Sequence, residues 1–174
     1  MKDTLRTINQ MQVDGVIGQY AIGGAVGATF YLEPAATLDI DVFISRQKNQ
    51  PGTSIITLAP IYDYLTKRGC LVEKEHVIIA GWPVQFLPPG SPLEEEALIA
   101  AVATDVDGIQ TRVMTAEHLL TIALKTGRVK DKIRITQFLE SEVIDRVKLG
   151  EIITRHGLLA QWQAFSDKYL KDNT

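Results

Sequence analysis

One short stretch of the sequence limits the fold more than any other. Residues 20–22 form an apolar run that ends at Gly23-Gly24, and residues 25–32 then have a helical pattern. Residues 38–44 alternate carboxylates with apolar side chains at a period of two, which indicates a strand with two different faces. The sequence therefore predicts a strand, a glycine turn, a helix and a second strand, in this order.

The acidic residues of the second strand, Asp39 and Asp41, are two positions apart and are therefore expected on the same face. Carboxylate oxygens bind hard divalent cations, which bridge phosphates and offset the charge that develops during phosphoryl transfer. The Gly23-Gly24 turn complements them, because glycine lets the main chain approach a triphosphate and the amides at a helix N-terminus favour its negative charge. Since neighbouring strands lie about 4.8 Å apart, the turn and the carboxylates would reach one bound nucleotide.

Each of these features also has an ordinary structural explanation. Gly23-Gly24 would serve in any tight turn, and alternating polar residues are common on the solvated face of an edge strand. Aspartate is depleted in strands, however, and two aspartates at a period of two are unusual without a cation to hold. The combination favours a metal and nucleotide site, with Asp39 and Asp41 as catalytic residues and metal ligands.

The rest of the chain divides at Thr115. Before it, the patterns predict further helices over residues 4–13, 57–68 and 93–102 and short strands over residues 70–73, 77–80, 83–87 and 109–114. From Thr115, a suitable N-cap residue, helical spacing continues and predicts four helices. We expect an α/β (α+β) fold with a mixed sheet flanked by helices over residues 1–114, and a C-terminal helical region over residues 115–174 packed on it.

The composition limits the class of protein further. The 174 residues are 45% hydrophobic and 22% charged, which suits one compact domain with a buried core. A net charge of −3 argues against a protein held on nucleic acid or an anionic membrane by its overall field. Cys70 is the single cysteine, and no apolar run reaches the roughly 20 residues that a membrane span needs. A cytoplasmic protein without a membrane partner is expected.

A basic stretch follows the first C-terminal helix. Residues 125–134 contain one acidic residue, Asp131, and five basic residues: Lys125, Arg128, Lys130, Lys132 and Arg134. A solvated helix face with ion pairs between successive turns would explain such a stretch. Alternatively, Lys125, Arg128 or Lys130 would reach the phosphates of a nucleotide or of an RNA acceptor. Both explanations remain open from the sequence.

Two other polar groups have simpler explanations. A second Asp-x-Asp, at Asp105 and Asp107, is followed too soon by Gly108 for a helix–loop–helix calcium site and predicts a turn. The three histidines are scattered and lack the spacing of a zinc site, so we expect them to be structural or exposed.

The sequence resembles the nucleotidyltransferase (DNA-polymerase-β-like) superfamily. Residues 22–24, followed by residues 39–42, are similar to its signature of a hydrophobic residue with Gly-Gly or Gly-Ser, then Asp-x-Asp. Thr37 matches a threonine that is common there. Residues 113–120 and 124–131 resemble the helical half of the AbiEii-like branch, which includes toxins of toxin–antitoxin pairs.

The resemblance implies a particular chemistry. An NTP would donate a nucleoside monophosphate to a hydroxyl of RNA, protein or a small molecule, with Mg²⁺ or Mn²⁺ as cofactor. The metal would lie on Asp39 and Asp41. The nucleotide would contact six residues: Gly23, Gly24, Thr37, Lys125, Arg128 and Lys130. If the chain is a toxin, an antitoxin protein is its partner.

The sequence departs from the superfamily at one position. A later strand usually carries a third carboxylate, the base or second-metal ligand, and the best-aligned segment here, residues 83–87, has Gln85 in its place. An amide cannot take a proton from an attacking hydroxyl. Glu73 or Glu75, on the preceding strand, would be a substitute. The alternative function is a nucleotide- or partner-binding module that has the fold and lacks catalysis.

Overall fold

The computed structural model of the protein describes residues 1–33, 39–45 and 57–170. Within these ranges the chain forms eight helices and seven strands. In chain order they are α1 (Lys2–Val13), β1 (Tyr20–Ile22), α2 (Gly24–Ala28), β2 (Ile40–Ile44), α3 (Ala59–Thr66), β3 (Leu71–Glu73), β4 (His76–Ile79), β5 (Trp82–Leu87), α4 (Pro92–Ile99), β6 (Val102–Val106), β7 (Ile109–Val113), α5 (Ala116–Thr126), α6 (Val129–Glu140), α7 (Arg146–Arg155) and α8 (Leu159–Tyr169).

The seven strands form one mixed sheet in the order β3-β4-β5-β2-β1-β7-β6. β1 is antiparallel to β2 and parallel to β7, and β2 is parallel to β5. The outer neighbours β3–β4, β4–β5 and β6–β7 pair antiparallel. As a result, β1, which leads into the glycine pair, lies directly beside β2, which carries Asp41.

Helices cover both faces of the sheet because its central strands are apolar on both faces. On one face, Leu5 of α1 and Leu65 of α3 share a core with Val42 of β2. On the other face, α4 to α8 share a core with Phe43, and Phe138 of α6 is fully buried there. Adjacent residues of β2 therefore face different cores. No helix in the described ranges has both the length and the apolar character of a membrane span.

The mixed sheet with flanking helices agrees with the sequence prediction, but two helices end three or four residues earlier than predicted. The helix predicted over residues 25–32 ends at Ala28, and hydrogen-bonded turns follow it, such as Tyr31 N to Ala28 O at 3.0 Å. The helix predicted over residues 93–102 ends at Ile99. In both places apolar residues continue past the last helical turn, so the apolar pattern alone did not mark the end of the helix.

The sequence patterns do not predict strand β6. Asp105, predicted in a turn, lies within β6 opposite Gln110, and the turn follows at Asp107, whose φ is 51°. Asp105 nevertheless supports that turn, because its Oδ1 accepts a hydrogen bond from Gly108 N at 2.9 Å. β6 forms the edge of the sheet and is mostly exposed, so it lacks the apolar alternation that marks a half-buried strand.

Candidate active site

The turn between β1 and α2 places bare main chain against a carboxylate. Gly23 N donates a hydrogen bond to Asp41 O at 2.9 Å, which fixes the turn to the neighbouring strand. Gly24 has a φ of 57°, and a Cβ atom at this position would overlap with Asp41 Oδ2. A Cβ atom at Gly23 would lie 2.7 Å from a ring carbon of Phe43. Both positions therefore require glycine. A side chain at Gly24 would displace the Asp41 carboxylate, and a side chain at Gly23 would collide with Phe43 in the core.

Asp41 and Gly24 line a cavity of about 240 Å³ between the sheet and helices α4, α5 and α6. Its charged and amide-bearing lining residues are Asp41, Gln85, Glu94, Arg128, Asp131 and Arg134. Its large apolar lining residues are Phe43, Leu87, Leu119 and Ile122. The cavity thus combines charged groups with apolar side chains that would pack against a flat ring or an aliphatic group.

The Asp41 carboxyl has a pKa above its ordinary value. Burial is the main cause, and the negative charge of Asp39 adds to it. The positive charges of Arg128 and Lys130, together with His76, act in the opposite direction. Asp41 therefore lies where an anion is poorly solvated, beside a second carboxylate and within the field of two basic side chains. A bound cation would relieve both the burial cost and the repulsion.

Asp39 lies one residue before β2, and its Oδ2 is 3.3 Å from His76 Nε2. Its side chain is 42% exposed. Asp39 also lines a second cleft, of about 410 Å³, with Glu73, Glu75 and His76. The two aspartates thus line different cavities, although the negative charge of Asp39 still raises the pKa of Asp41.

His76 is a site residue that the sequence analysis missed. It begins β4, and the sheet order places β4 two strands away from β2. Its ring reaches the Asp39 side chain across 37 positions of sequence. No local pattern indicates such a contact, because it depends on the order of the strands.

Gln85 lies beside Asp41 on the neighbouring strand. β2 and β5 run parallel, and their register aligns Asp41 with Gln85 and Ile40 with Val84. Gln85 also lines the cavity that contains Asp41. The side chain next to Asp41 on β5 is therefore an amide.

The basic stretch lies at the tight connection between α5 and α6. Gly127, with a φ of 69°, ends α5, and Arg128 is the N-cap residue of α6. Arg128 Nε donates a hydrogen bond to Asp131 Oδ2 at 2.8 Å, and Arg134 Nη1 lies 3.6 Å from Asp131 Oδ1. Asp131 is 1% exposed, whereas the Arg128 side chain is 58% exposed at the cavity. The buried Asp131 thus fixes the exposed Arg128 at the rim of the cavity.

Of the eight predicted site residues, four lie together at the turn and its cavity, whereas Asp39 lines the second cleft and Lys130 is exposed outside the cavity lining. Gly23, Gly24 and Asp41 meet at the turn, and the field of Asp39, Arg128 and Lys130 acts on Asp41. Lys125 is exposed at the last turn of α5, outside the cavity lining, so its role stays a prediction. Thr37 lies outside the described residues. In residues 1–33, 39–45 and 57–170, no three His, Cys, Asp or Glu side chains form a group that would hold a metal ion.

No protein-family model and no curated protein matches the sequence. Among solved structures, the chain is similar to an antigenic nucleotidyltransferase-like protein from Paracoccidioides brasiliensis, with a TM-score of 0.60 and 15% identity over 98% of this chain and 93% of that chain. It is also similar to the antibiotic-resistance factor ANT(2'')-Ia, with a TM-score of 0.58 and 11% identity over 97% of this chain and 96% of that chain.

At these identities, the likeness is one of fold. The chain has the nucleotidyltransferase-like fold, and the predicted fold class is confirmed. The similarity extends over the C-terminal helices as well as the sheet, because nearly the whole chain is covered. The AbiEii-like branch stays a prediction.

Proposed function

We propose that the chain is a nucleotidyltransferase that transfers a nucleoside monophosphate from an NTP to an acceptor hydroxyl. The observation that carries this proposal is the close approach of the Asp41 carboxylate to the bare main chain at Gly24, in one cavity with Arg128. A polyphosphate with bound cations needs these three partners: carboxylates for the cations, exposed main chain, and a basic side chain. The nucleotidyltransferase-like fold supports the same proposal.

In this proposal, the triphosphate lies along Gly23-Gly24. Helix α2 has five residues, so its dipole contributes little, and the close approach of the main chain is the more important effect. Arg128 and Lys130 bind phosphate oxygens from the opposite side. Asp131 orients Arg128 for this task through the 2.8 Å hydrogen bond, because an arginine fixed in advance loses less entropy on binding. Thr37 and Lys125 are further nucleotide-binding residues of the proposal.

The donor set fits Mg²⁺ or Mn²⁺. Asp39 and Asp41 supply hard oxygen ligands, and Mg²⁺ is commonly held by one or two carboxylates, with substrate phosphates and water completing its coordination. The raised pKa of Asp41 fits this role, because burial and Asp39 destabilise a lone anion there. A bound divalent ion would neutralise negative charge on the phosphates during in-line displacement. The residues themselves position the α-phosphate and fix the cation sites.

The acceptor in this proposal is a hydroxyl of RNA, protein or a small molecule, and the chain works in the cytoplasm. If it acts as a toxin, an antitoxin protein binds it. Expression in bacteria tests that role directly: growth arrest that the product of a neighbouring gene relieves supports it, and normal growth contradicts it.

The transfer reaction is tested with labelled NTPs and candidate acceptors. We expect Asp41→Asn to lower the rate by at least 100-fold, since the metal site loses a charged ligand. Asp107→Asn is the matched control, because it makes the same change in the exposed second Asp-x-Asp. Equal rates in wild type and Asp41→Asn would reject the proposal.

One observation favours a second function, a nucleotide- or partner-binding module without catalysis. Gln85 lies in register with Asp41, where the superfamily resemblance implies a third carboxylate, and an amide cannot accept the proton of the acceptor hydroxyl. Thermal shift with ATP, GTP, CTP and UTP, with and without Mg²⁺, distinguishes the two functions. A ligand at 100 times its Kd adds about 2.7 kcal/mol to the free energy of unfolding. Magnesium-dependent stabilisation without any product would favour the module.

A further inference from the structure

We propose that Glu94 is the group that accepts the proton of the acceptor hydroxyl. This inference rests on the proposed transferase function and deepens it, because it assigns the catalytic base that β5 lacks. Glu94 comes from the first turn of α4, an element outside the motifs that suggested the function.

The position of Glu94 is the first part of the argument. It lines the same cavity of about 240 Å³ as Gly24, Asp41 and Gln85. An acceptor that enters this cavity beside Asp41 therefore meets an amide on β5 and a carboxylate on α4. Of these two groups, only the carboxylate accepts a proton.

The orientation of Glu94 is the second part. Its Oε2 accepts a hydrogen bond from Gly90 N at 2.6 Å, and its own N–H donates to Ser91 Oγ, the N-cap of α4, at 3.4 Å. A Cβ atom at Gly90 would lie 3.3 Å from Oε2, so the loop closes tightly on that oxygen. Within the described part of the chain, Glu94 forms no ion pair. The loop thus fixes one carboxylate oxygen, and no arginine or lysine in the described ranges forms an ion pair with this carboxylate.

The other nearby carboxylates are less suitable. Asp131 is 1% exposed and is held by Arg128 and Arg134, so it serves to position those side chains. Glu73 and Glu75 line the second cleft instead of the cavity with Gly24 and Asp41. Glu94 is therefore the carboxylate of the cavity lining that is neither placed at the metal nor engaged by a basic side chain.

The proposed step balances as follows. The acceptor O–H gives its proton to a Glu94 oxygen, and the freed oxygen lone pair forms the new bond to the α-phosphorus of the NTP. The bond between the α-phosphorus and the bridging oxygen breaks, and pyrophosphate leaves with its electron pair. The protonated Glu94 returns its proton to solvent after the products leave.

The test compares Glu94→Gln with Glu95→Gln in the labelled-NTP assay. Glu95 is on the same helical turn and is exposed, so it is a matched control for charge and helix position. We expect Glu94→Gln to lower kcat by about 100-fold or more, the contribution typical of a positioned base, with an NTP KM within about threefold of wild type. Glu95→Gln should match wild type, and the Tm of both variants verifies folding.

A rescue experiment separates a base from a merely structural residue. Gln85→Asp, made in the Glu94→Gln background, restores a carboxylate to the cavity from the neighbouring strand, and we expect kcat to recover by at least about tenfold, a fraction of the loss of a positioned base. A residue needed only to cap α4 would not be replaced in this way. Absence of rescue together with a lowered Tm in Glu94→Gln would overturn the proposal.

The remaining outcomes also decide the matter. If Glu94→Gln keeps the wild-type kcat while Asp41→Asn is inactive, the transferase function stands and Glu94 is not the base. If wild type binds magnesium and NTP without turnover, and Gln85→Asp alone creates turnover, the cavity has no working base and the proposal is overturned. If neither binding nor turnover occurs in wild type, the proposed function fails, and this inference fails with it.

Discussion

At the scale of single residues, the site depends on the space that Gly24 leaves for Asp41. The carboxylate occupies the volume that a side chain at Gly24 would fill, and the positive φ of Gly24 is itself unfavourable for other residues. Two costs would therefore combine in any substitution at this position: backbone strain and displacement of the carboxylate.

Gly24→Ala tests this contact. We expect a loss of about 1–2 kcal/mol in the free energy of unfolding and loss of magnesium-dependent nucleotide binding, because Asp41 must move. Gly15→Ala is the matched control, since Gly15 has a φ of 70° with open space around it and reports the strain alone. Urea denaturation and thermal shift with NTP measure the two effects. Unchanged nucleotide binding in Gly24→Ala would show that the contact is not part of the site.

Part of the site was predictable from the sequence because it is local. The glycine pair directly follows β1, and Asp39 and Asp41 lie at the start of the adjacent strand β2, so their spacing alone indicated a shared purpose. His76 and Glu94 were not predictable, because they reach the site through the strand order and through the fold of α4 over the sheet. Nothing in their own neighbourhood distinguishes them from ordinary polar residues.

At the scale of elements, one carboxylate joins α4 to α5 and α7. Glu96 accepts hydrogen bonds from Arg155 Nη2 at 2.6 Å and His156 Nε2 at 2.7 Å, and His118 Nε2 lies 3.2 Å away. The hydrogen bonds from Arg155, with those from the two histidines, lower the pKa of Glu96 to about 2. The helix that carries Glu94 is thus tied to the C-terminal helices.

Glu96→Gln tests this connection. Because the folded pKa lies below the ordinary value of 4.5, the ionised Glu96 stabilises the fold above about pH 4.5, and this contribution is lost as the pH falls towards 2. We expect the variant to lose about 1–2 kcal/mol at pH 7, and we expect this difference to fall by about half at pH 3, because Glu96 in the fold stays mostly ionised until the pH approaches 2. Urea denaturation at both pH values measures the difference. A constant difference across this range would contradict the assignment.

The sequence patterns predicted the central strands and one edge strand, β3, but not the other edge strand, β6. The central strands β1 and β2 are almost continuously apolar because both of their faces are covered, so their sequences carry the signal. β6 has one exposed edge and little burial, and its sequence resembles a loop. The sequence patterns gave no indication that its hairpin with β7 extends the sheet.

At the scale of the whole molecule, the C-terminal helices share their core with the sheet. Fully buried side chains of these helices, Leu120 and Phe138, belong to the same cluster as Phe43 of β2 and Leu93 of α4. Burial of each large apolar side chain contributes about 1.5–3 kcal/mol, and a typical domain is stable by only about 5–15 kcal/mol. We therefore propose that residues 1–114 and 115–174 differ in sequence pattern but fold together, so that neither part is an independent folding unit.

A fragment of residues 1–114 tests this proposal. We expect it to bind a hydrophobic dye and to lack a cooperative urea transition, because one face of its sheet has lost most of its cover. The full chain under the same conditions is the reference. A cooperative transition of the fragment by both circular dichroism and tryptophan fluorescence would show that the sheet folds alone.

The central claim is that Asp39 and Asp41 hold a divalent cation against a nucleotide at Gly23-Gly24. The most direct measurement is an anomalous difference map from crystals grown with Mn²⁺ and a non-hydrolysable NTP. We expect a peak within about 2.5 Å of carboxylate oxygens of both aspartates, with the triphosphate along the glycine turn. Mn²⁺ and nucleotide bound elsewhere, with Asp39 still paired to His76, would contradict the claim.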